Sequence, residues 1–292
     1  MAATDSELLG SAVTGTSRAV VRTVVGMPTS DGAGVKLTRV IGTQALSYLD
    51  PFLMLDEFGS DDPAAYIAGF PSHPHRGFET ITYMLDGRMR HRDNHGNEGL
   101  LTAGAVQWMT AGRGIVHSEM PEQEQGRMRG FQLWLNLPSG EKMRPVEYQD
   151  IEPHKVPVVE LPQGGQVKVI AGHFDGVRGP APERTTQPVY LDVRLTAGSQ
   201  FQSAIHIAKS AFLYVYEGEV SVGPGSGHAV TAPKLAELAA GDYVQVTAMK
   251  DARFLVIAGI PVREPVARYG PFVMNTSEQI HQAIADFQQG KF

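Results

Sequence analysis

The chain has 292 residues, 42% of them hydrophobic, a formal net charge of -6 and no cysteine. That length and composition suffice for one large or two smaller buried cores. The missing cysteines exclude disulfides, thiolate metal sites and cysteine nucleophiles, and leave His, Asp and Glu as the strong metal ligands; the negative charge gives no global attraction to nucleic acid or anionic membranes.

Met1 to Thr16 has no early basic cluster followed by an apolar run, so no signal peptide is expected. No apolar segment is long enough to span a bilayer as a helix. The expected location is cytoplasmic. From about Val20 to Ala258, short runs of Val, Ile, Leu, Thr and Tyr are punctuated by turn formers, drawn from 32 Gly and 19 Pro. Many short strands at this spacing predict an all-β sandwich or barrel.

In chain order the first distinctive element is His73-Pro74-His75. Glu79 to Leu85 follows, closed by Asp86-Gly87. His91 and His95 lie among charges and turn formers between Arg90 and Glu98, which predicts a solvated hairpin. Ala105 to Thr110 is introduced by Thr102-Ala103-Gly104. The Gly-rich stretch Thr110 to Val116 reads as a turn feeding the strand that carries His117-Ser118-Glu119; it lacks the Gly-Lys-Ser/Thr ending of a phosphate loop. Arg127-Met128-Arg129 reads as a solvated face. Gly130 to Leu137 is a strand stopped by Pro138, and Pro138 to Pro162 has linker character. Near the end, Thr276 or Ser277 caps a helix expected over 277–288.

The two i, i+2 pairs, His73/His75 and His117/Glu119, point to one face in extended strands. Brought together on neighbouring strands, three imidazoles and a carboxylate suit a first-row transition metal. A lone histidine is usually a surface or hydrogen-bonded residue, and the bland alternative for these pairs is a polar hairpin rim. His154, His173, His206, His228 and His281 have no partner at ligand spacing. Met84, Met89, Met109, Met120 and Met128 are expected as core filler or the floor of an apolar pocket.

A second block repeats the first. Ile81 to Gly87 has a counterpart in Phe212 to Gly218 at an offset of 131, and Leu101 to Gly104 has one in Leu238 to Gly241 at 137. Tandem copies of one β-domain follow. His75 then meets His206, a relic of the site, whereas His73 meets Ala204, His117 meets Phe254 and Glu119 meets Val256. The full ligand set is expected only in the first copy.

Five long motifs, Asp50 to Phe58, His73 to Thr80, Gln107 to Glu119, Gly130 to Pro138 and Gly270 to Thr276, together resemble the pirin family from about Val20 to Phe292. The resemblance implies a bicupin, two tandem jelly-roll-type β-barrels of the cupin superfamily with metal only in the first. The expected division is an N-terminal tail (1–19), a metal-binding cupin domain (20–140), a linker (141–162), a degenerate cupin domain (163–265) and an extension with the helix (266–292). The resemblance carries the ligands onto His73, His75, His117 and Glu119, and gives Glu79 a role beside the ligands or in the pocket. Iron is the first expected metal, with Ni, Cu, Co, Mn and Zn as alternatives.

Pirin-like proteins are associated with cleavage of flavonols such as quercetin by a metal-dependent 2,3-dioxygenase reaction, and with regulation through protein partners. Fold alone does not choose. For the dioxygenase, the partners are a flavonol-like molecule and O2, and Glu119 is the expected base. Phe78, Met84, Trp108, Gln132 and Trp134 are candidate pocket walls, with Gln132 the candidate polar contact to substrate. The alternatives are a metal- or redox-tuned binding module acting through a protein partner, and a structural bicupin stabilised by its metal. No basic stripe or helix-turn-helix suggests direct nucleic-acid contact, and no membrane partner is expected.

Overall fold

A computed structural model describes residues 15–292, so most of the Met1 to Thr16 stretch lies outside the described residues. The described residues form strands throughout and one α-helix, Ser277–Gln288. It builds two seven-stranded antiparallel sheets with the same layout. The first runs Glu147–Ile151, Val106–Thr110, Phe78–Asp86, Met128–Asn136, Phe52–Ser60, Val35–Ile41 and Met27–Asp31. The second runs Val20–Val24, Lys234–Leu238, Ser210–Glu217, Ala252–Gly259, Val189–Leu195, Gly165–Ala171 and Val158–Glu160. Each is matched by a four-stranded sheet: Phe70–His75, Ile115–Pro121, Met89–Asp93 and Glu98–Leu101 in the first half, and Gln200–Ala204, Tyr243–Ala248, Glu219–Val222 and His228–Thr231 in the second. The same strand order twice is the tandem copy that the repeat predicted, in the jelly-roll form that the family resemblance implied.

This layout corrects one of the two offsets. Phe78–Asp86 does correspond to Ser210–Glu217, but Ile115–Pro121 corresponds to Tyr243–Ala248 and not to the strand that contains Phe254 and Val256. Turns of the Leu-x-x-Gly kind recur between strands, and the sequence match had slipped to a neighbouring one. Tyr243–Ala248 contains no His, Asp or Glu, so the second copy still lacks the ligand set.

The two large sheets pack face to face, which buries both faces of their central strands. Ile81, Tyr83, Val106, Trp108, Phe131 and Leu133 meet Tyr190, Phe212, Tyr214, Leu235, Leu255 and Ile257 in one core. The second half fills its own barrel with Val, Leu, Ile, Ala and Phe side chains, among them Val193, Phe201, Val215, Val246 and Phe254. The first barrel closes one region with Leu37, Phe58, Met84, Met89 and Met128, and keeps its remaining interior polar. That difference makes room for a site in only one barrel.

The halves also exchange strands. Val20–Val24, expected within the first domain, pairs with Lys234–Leu238 in the second sheet, and the preceding Arg18 is fully buried, donating to the carbonyls of Ala239 and His206 at 2.9 Å each. Residues 141–162, expected as linker, include Glu147–Ile151 on the edge of the first sheet and Val158–Glu160 on the edge of the second.

Two polar residues expected at the surface lie inside. Arg129 is 8% exposed; it pairs with Glu57 at 2.8 Å and with Glu217 from the other barrel. It belongs to a strand whose both faces are covered, so its charge is met by carboxylates within the interface. His91 is likewise buried, stacked on Tyr148 with ring centroids 5.4 Å apart and in contact with the Gln107 amide.

The terminal helix forms as predicted. Thr276 and Gln279 make a reciprocal capping box, which satisfies donors that the first turn would otherwise leave free. The helix buries Ile280 and Ala283, and Arg76, next to His75, pairs with Asp286 at 2.8 Å while its guanidinium lies 4.4 Å from the Phe292 ring centroid. The extension is thereby fastened to the strand of the histidine pair.

Candidate metal centre

His73 and His75 come from the end of Phe70–His75, and His117 from the strand paired beside it, where His117 stands opposite His73. Gly77 ends the first of these strands at φ +90°, and a Cβ there would lie 2.0 Å from the Val273 carbonyl; only glycine allows the chain to turn this close to the extension. The register shifts between His117 and Glu119, with the extra residue on the first strand between Phe70 and His73. Such bulges re-aim side chains.

The three histidines converge. One nitrogen from each of His73, His75 and His117 lies within 4.8 Å of the others, and the Nε2 atoms of His73 and His75 are 3.0 Å apart. His73 sets its other nitrogen, Nδ1, 2.8 Å from the Pro71 carbonyl, which fixes the hydrogen there and leaves the Nε2 lone pair free. His75 and His117 are 3% and 1% exposed, yet His75 Nδ1 and both nitrogens of His117 have no hydrogen-bond partner. Buried polar atoms are rarely left so. Burial, reinforced by the neighbouring histidines, holds His75 well below its usual pKa; burial lowers His117 to about 4 despite the opposing charge of Glu119. Neutral imidazoles with unpartnered nitrogens facing one another are what a divalent metal requires, so the residues present fit such an ion.

Glu119 is close by but differently engaged. It is 2% exposed and stands opposite His91 on the adjacent strand. Its carboxylate accepts from Gln132 Nε2 at 3.1 and 3.0 Å and from Thr82 Oγ1 at 3.2 Å. It is not among the groups that meet within 4.8 Å. Gln132, expected as a substrate contact, lines the cavity and spends its amide on this carboxylate.

A cavity of about 580 Å³ opens onto the site, with His73, His75, Glu119, Gln132 and Trp134 in its lining. Phe58, Phe70, Met54 and Met89 supply apolar wall. Trp134 packs edge-on against His75 at 5.3 Å and lies 4.3 Å from Phe78, centroid to centroid. Of the other expected walls, Met84 packs behind with Phe58 and Met89, and Trp108 faces the opposite barrel. Alternation along two doubly buried strands separates the tryptophans. Glu79 faces that same interface. Its carboxylate, fully buried, accepts from Thr110 Oγ1 and pairs with Arg184 of the second half, each at 2.6 Å. Burial raises its pKa against the pull of Arg184.

Several cavity residues were not singled out from the sequence. Asp31, Arg39, Asp56 and Arg268 line it from strands and a C-terminal hairpin far along the chain from the histidines. The hints were the motif Asp50 to Phe58, which contains Asp56, and the motif Gly270 to Thr276, whose Pro271 also lines the cavity. His206, expected as a relic of the site, is exposed at a separate cavity in the second half.

Two family models match the chain: Pirin over residues 34–135 and the Pirin C-terminal cupin domain over residues 190–292. A pirin-like protein of Caulobacter vibrioides is 52% identical over 276 residues, covering 94% of this chain and 99% of that protein. A Pseudomonas aeruginosa protein named "Putative quercetin 2,3-dioxygenase" is 50% identical, covering 94% and 97%. Among solved structures, a quercetin 2,3-dioxygenase from Acinetobacter baumannii superposes with a TM-score of 0.88 at 33% identity, covering 95% of this chain and 99% of that one. With its duplicated cupin architecture and both halves matched in order, the chain belongs to the pirin family.

Proposed function

We propose that the protein is a metal-dependent dioxygenase that cleaves flavonols such as quercetin, with one metal held by His73, His75, His117 and Glu119. The observation that carries this reading is the convergence of three imidazoles, those of His75 and His117 buried, at the wall of a cavity whose lining is largely apolar and aromatic. Its volume, about 580 Å³, lies within the usual range for small-molecule sites. Kinship with proteins named as quercetin dioxygenases supports the choice of substrate class.

When bound, the metal supplies a Lewis acid that lowers the pKa of the flavonol 3-hydroxyl. Glu119 takes up that proton; Gln132 and Thr82 hold its carboxylate in place for the transfer. Trp134 and Phe70 offer flat apolar surfaces to the rings and displace water. The reaction consumes one O2 per flavonol and gives a depside and carbon monoxide. Iron is the first expected metal, with Ni, Cu, Co, Mn and Zn accommodated by the same donors.

The test is reconstitution with each metal, followed by quercetin under air, reading the loss of flavonol absorbance and the release of carbon monoxide. Turnover with at least one metal, lost in His75→Ala, is the expected result. Metal binding without turnover for any of the metals would sink the dioxygenase reading in favour of a metal-tuned binding module.

A further inference from the structure

The cavity wall holds two guanidinium groups in unlike states. Arg39 is paired with carboxylates: Nε and Nη2 grip the two oxygens of Asp56 at 2.9 and 2.7 Å, and Nη2 also reaches Asp31 at 2.7 Å. Arg268 has no carboxylate. It donates Nη1 to the Leu53 carbonyl at 3.3 Å and sets Nη2 3.8 Å from Met54 Sδ. A guanidinium carries five N–H donors, so most of its donors keep no acceptor among the described residues. Its central carbon lies 4.8 Å from the Trp134 ring centroid, and Trp134 in turn packs on His75. The order along this wall is cation, indole, imidazole. Arg268 is itself exposed, so its remaining donors face solvent in the cavity; partial burial and then the charge of Arg39 lower its pKa against the opposing pull of Asp56 and Asp31.

We propose that Arg268 forms an anion subsite, binding an oxyanion on an aromatic ligand on the far side of Trp134 from His75. The proposal rests on the flavonol reading of the cavity and narrows it to ligands bearing an acidic group besides the 3-hydroxyl. Trp134 provides the stacking face, and the free edge of Arg268 matches the planar, two-point geometry of a carboxylate or a single ionised phenol. The residue is delivered by the short hairpin of Ala267–Tyr269 and Phe272–Met274, so the second half of the chain sets the selectivity of a site in the first.

The test uses zinc-loaded protein under nitrogen, where binding is read without turnover by tryptophan fluorescence and flavonol absorbance. The probes are 3-hydroxyflavone, its 4′-carboxylate derivative and 3,7-dihydroxyflavone. The carboxylate is expected to bind at least about tenfold tighter than the parent, a preference of about 1.4 kcal/mol. Arg268→Gln should abolish that preference, weakening the carboxylate far more than the uncharged 3-hydroxyflavone, and Arg268→Lys should restore part of it. A gain for 3,7-dihydroxyflavone that emerges only above the pKa of its 7-hydroxyl, and only with Arg268 present, assigns the phenolate as an accepted source; a gain confined to the carboxylate assigns the carboxylate. Equal loss for charged and uncharged probes in Arg268→Gln, no preference in the parent protein, or no binding of any probe would each overturn the proposal. Because no oxygenation is involved, a protein that shows the preference but never turns over quercetin retires only the dioxygenase reading.

Discussion

Gln132 Nε2 donates to both carboxylate oxygens of Glu119, at 3.1 and 3.0 Å. The two residues lie on strands of different sheets, Met128–Asn136 and Ile115–Pro121, so this contact ties the sheets of the first barrel together at the site. It also keeps a carboxylate that is only 2% exposed supplied with donors. Replacing Gln132 by Leu strands that charge. The metal-free variant should lose about 1–3 kcal/mol of stability, measured by urea unfolding, and an unchanged midpoint would mean that the contact does not operate in solution.

Removing an imidazole should remove the metal. In His75→Ala and in His117→Ala, affinity is expected to fall by more than about 100-fold, beyond the loss usual when only a group supporting a ligand is deleted. Metal analysis after gel filtration reads this directly. His206→Ala, at the corresponding place in the second half, should keep the stoichiometry of the parent.

Protonation should loosen the metal-free site from the acid side. An unfolded histidine titrates near 6.5, whereas burial holds folded His117 at about 4 and His75 well below its usual value. Between those values the unfolded chain binds more protons, so stability is complete above pH 6.5 and declines as the pH falls towards 4. His117 alone accounts for roughly 3 kcal/mol over that window. Urea midpoints of the metal-free protein across this range should slope accordingly, and His117→Gln should flatten the curve. A midpoint that rises on acidification contradicts the assignment.

The barrels are joined by a shared carboxylate. Tyr83 Oη donates to Asp192 at 2.6 Å, and Tyr216 Oη donates to its other oxygen. A double-mutant cycle of Tyr83→Phe with Asp192→Asn should yield a coupling of about 1–2 kcal/mol, with metal content unaltered. Additive losses would place the stabilisation in packing alone.

Asp286 holds the terminal helix to the metal strand through Arg76, which is 4% exposed. Asp286→Ala leaves that guanidinium buried without its partner and should cost about 3 kcal/mol. Since Arg76 adjoins His75, metal release monitored with a chromogenic chelator should also accelerate. Unaltered release would confine the pair to a structural role.

The histidine cluster was legible because the strand pleat has a period of two, so His73 and His75 share a face wherever the backbone is extended; the structure brings His117 to them and leaves Glu119 outside that group. The duplication was legible through Ile81 to Gly87 and Phe212 to Gly218, which do occupy matching strands. Other readings failed for identifiable reasons. Trp108 and Trp134 both sit in strands buried on two sides, so the apolar pattern carries no sign of which side is the cavity. Arg129 and His91 look solvated among charged neighbours, but their partners, Glu57, Glu217 and Gln107, come from elsewhere in the chain.

The sequence by itself therefore determined what depends on neighbours along the backbone: strand character, the capped terminal helix, the repeated domain and the two i, i+2 pairs that mark the first barrel. Only the tertiary structure decided that Glu119 is held by Gln132, that Glu79 turns to Arg184 at the interface, and that Arg268 reaches over Trp134. These relationships join residues through the closure and face-to-face packing of two barrels, and a one-dimensional pattern encodes the period of each strand without encoding which strands will meet.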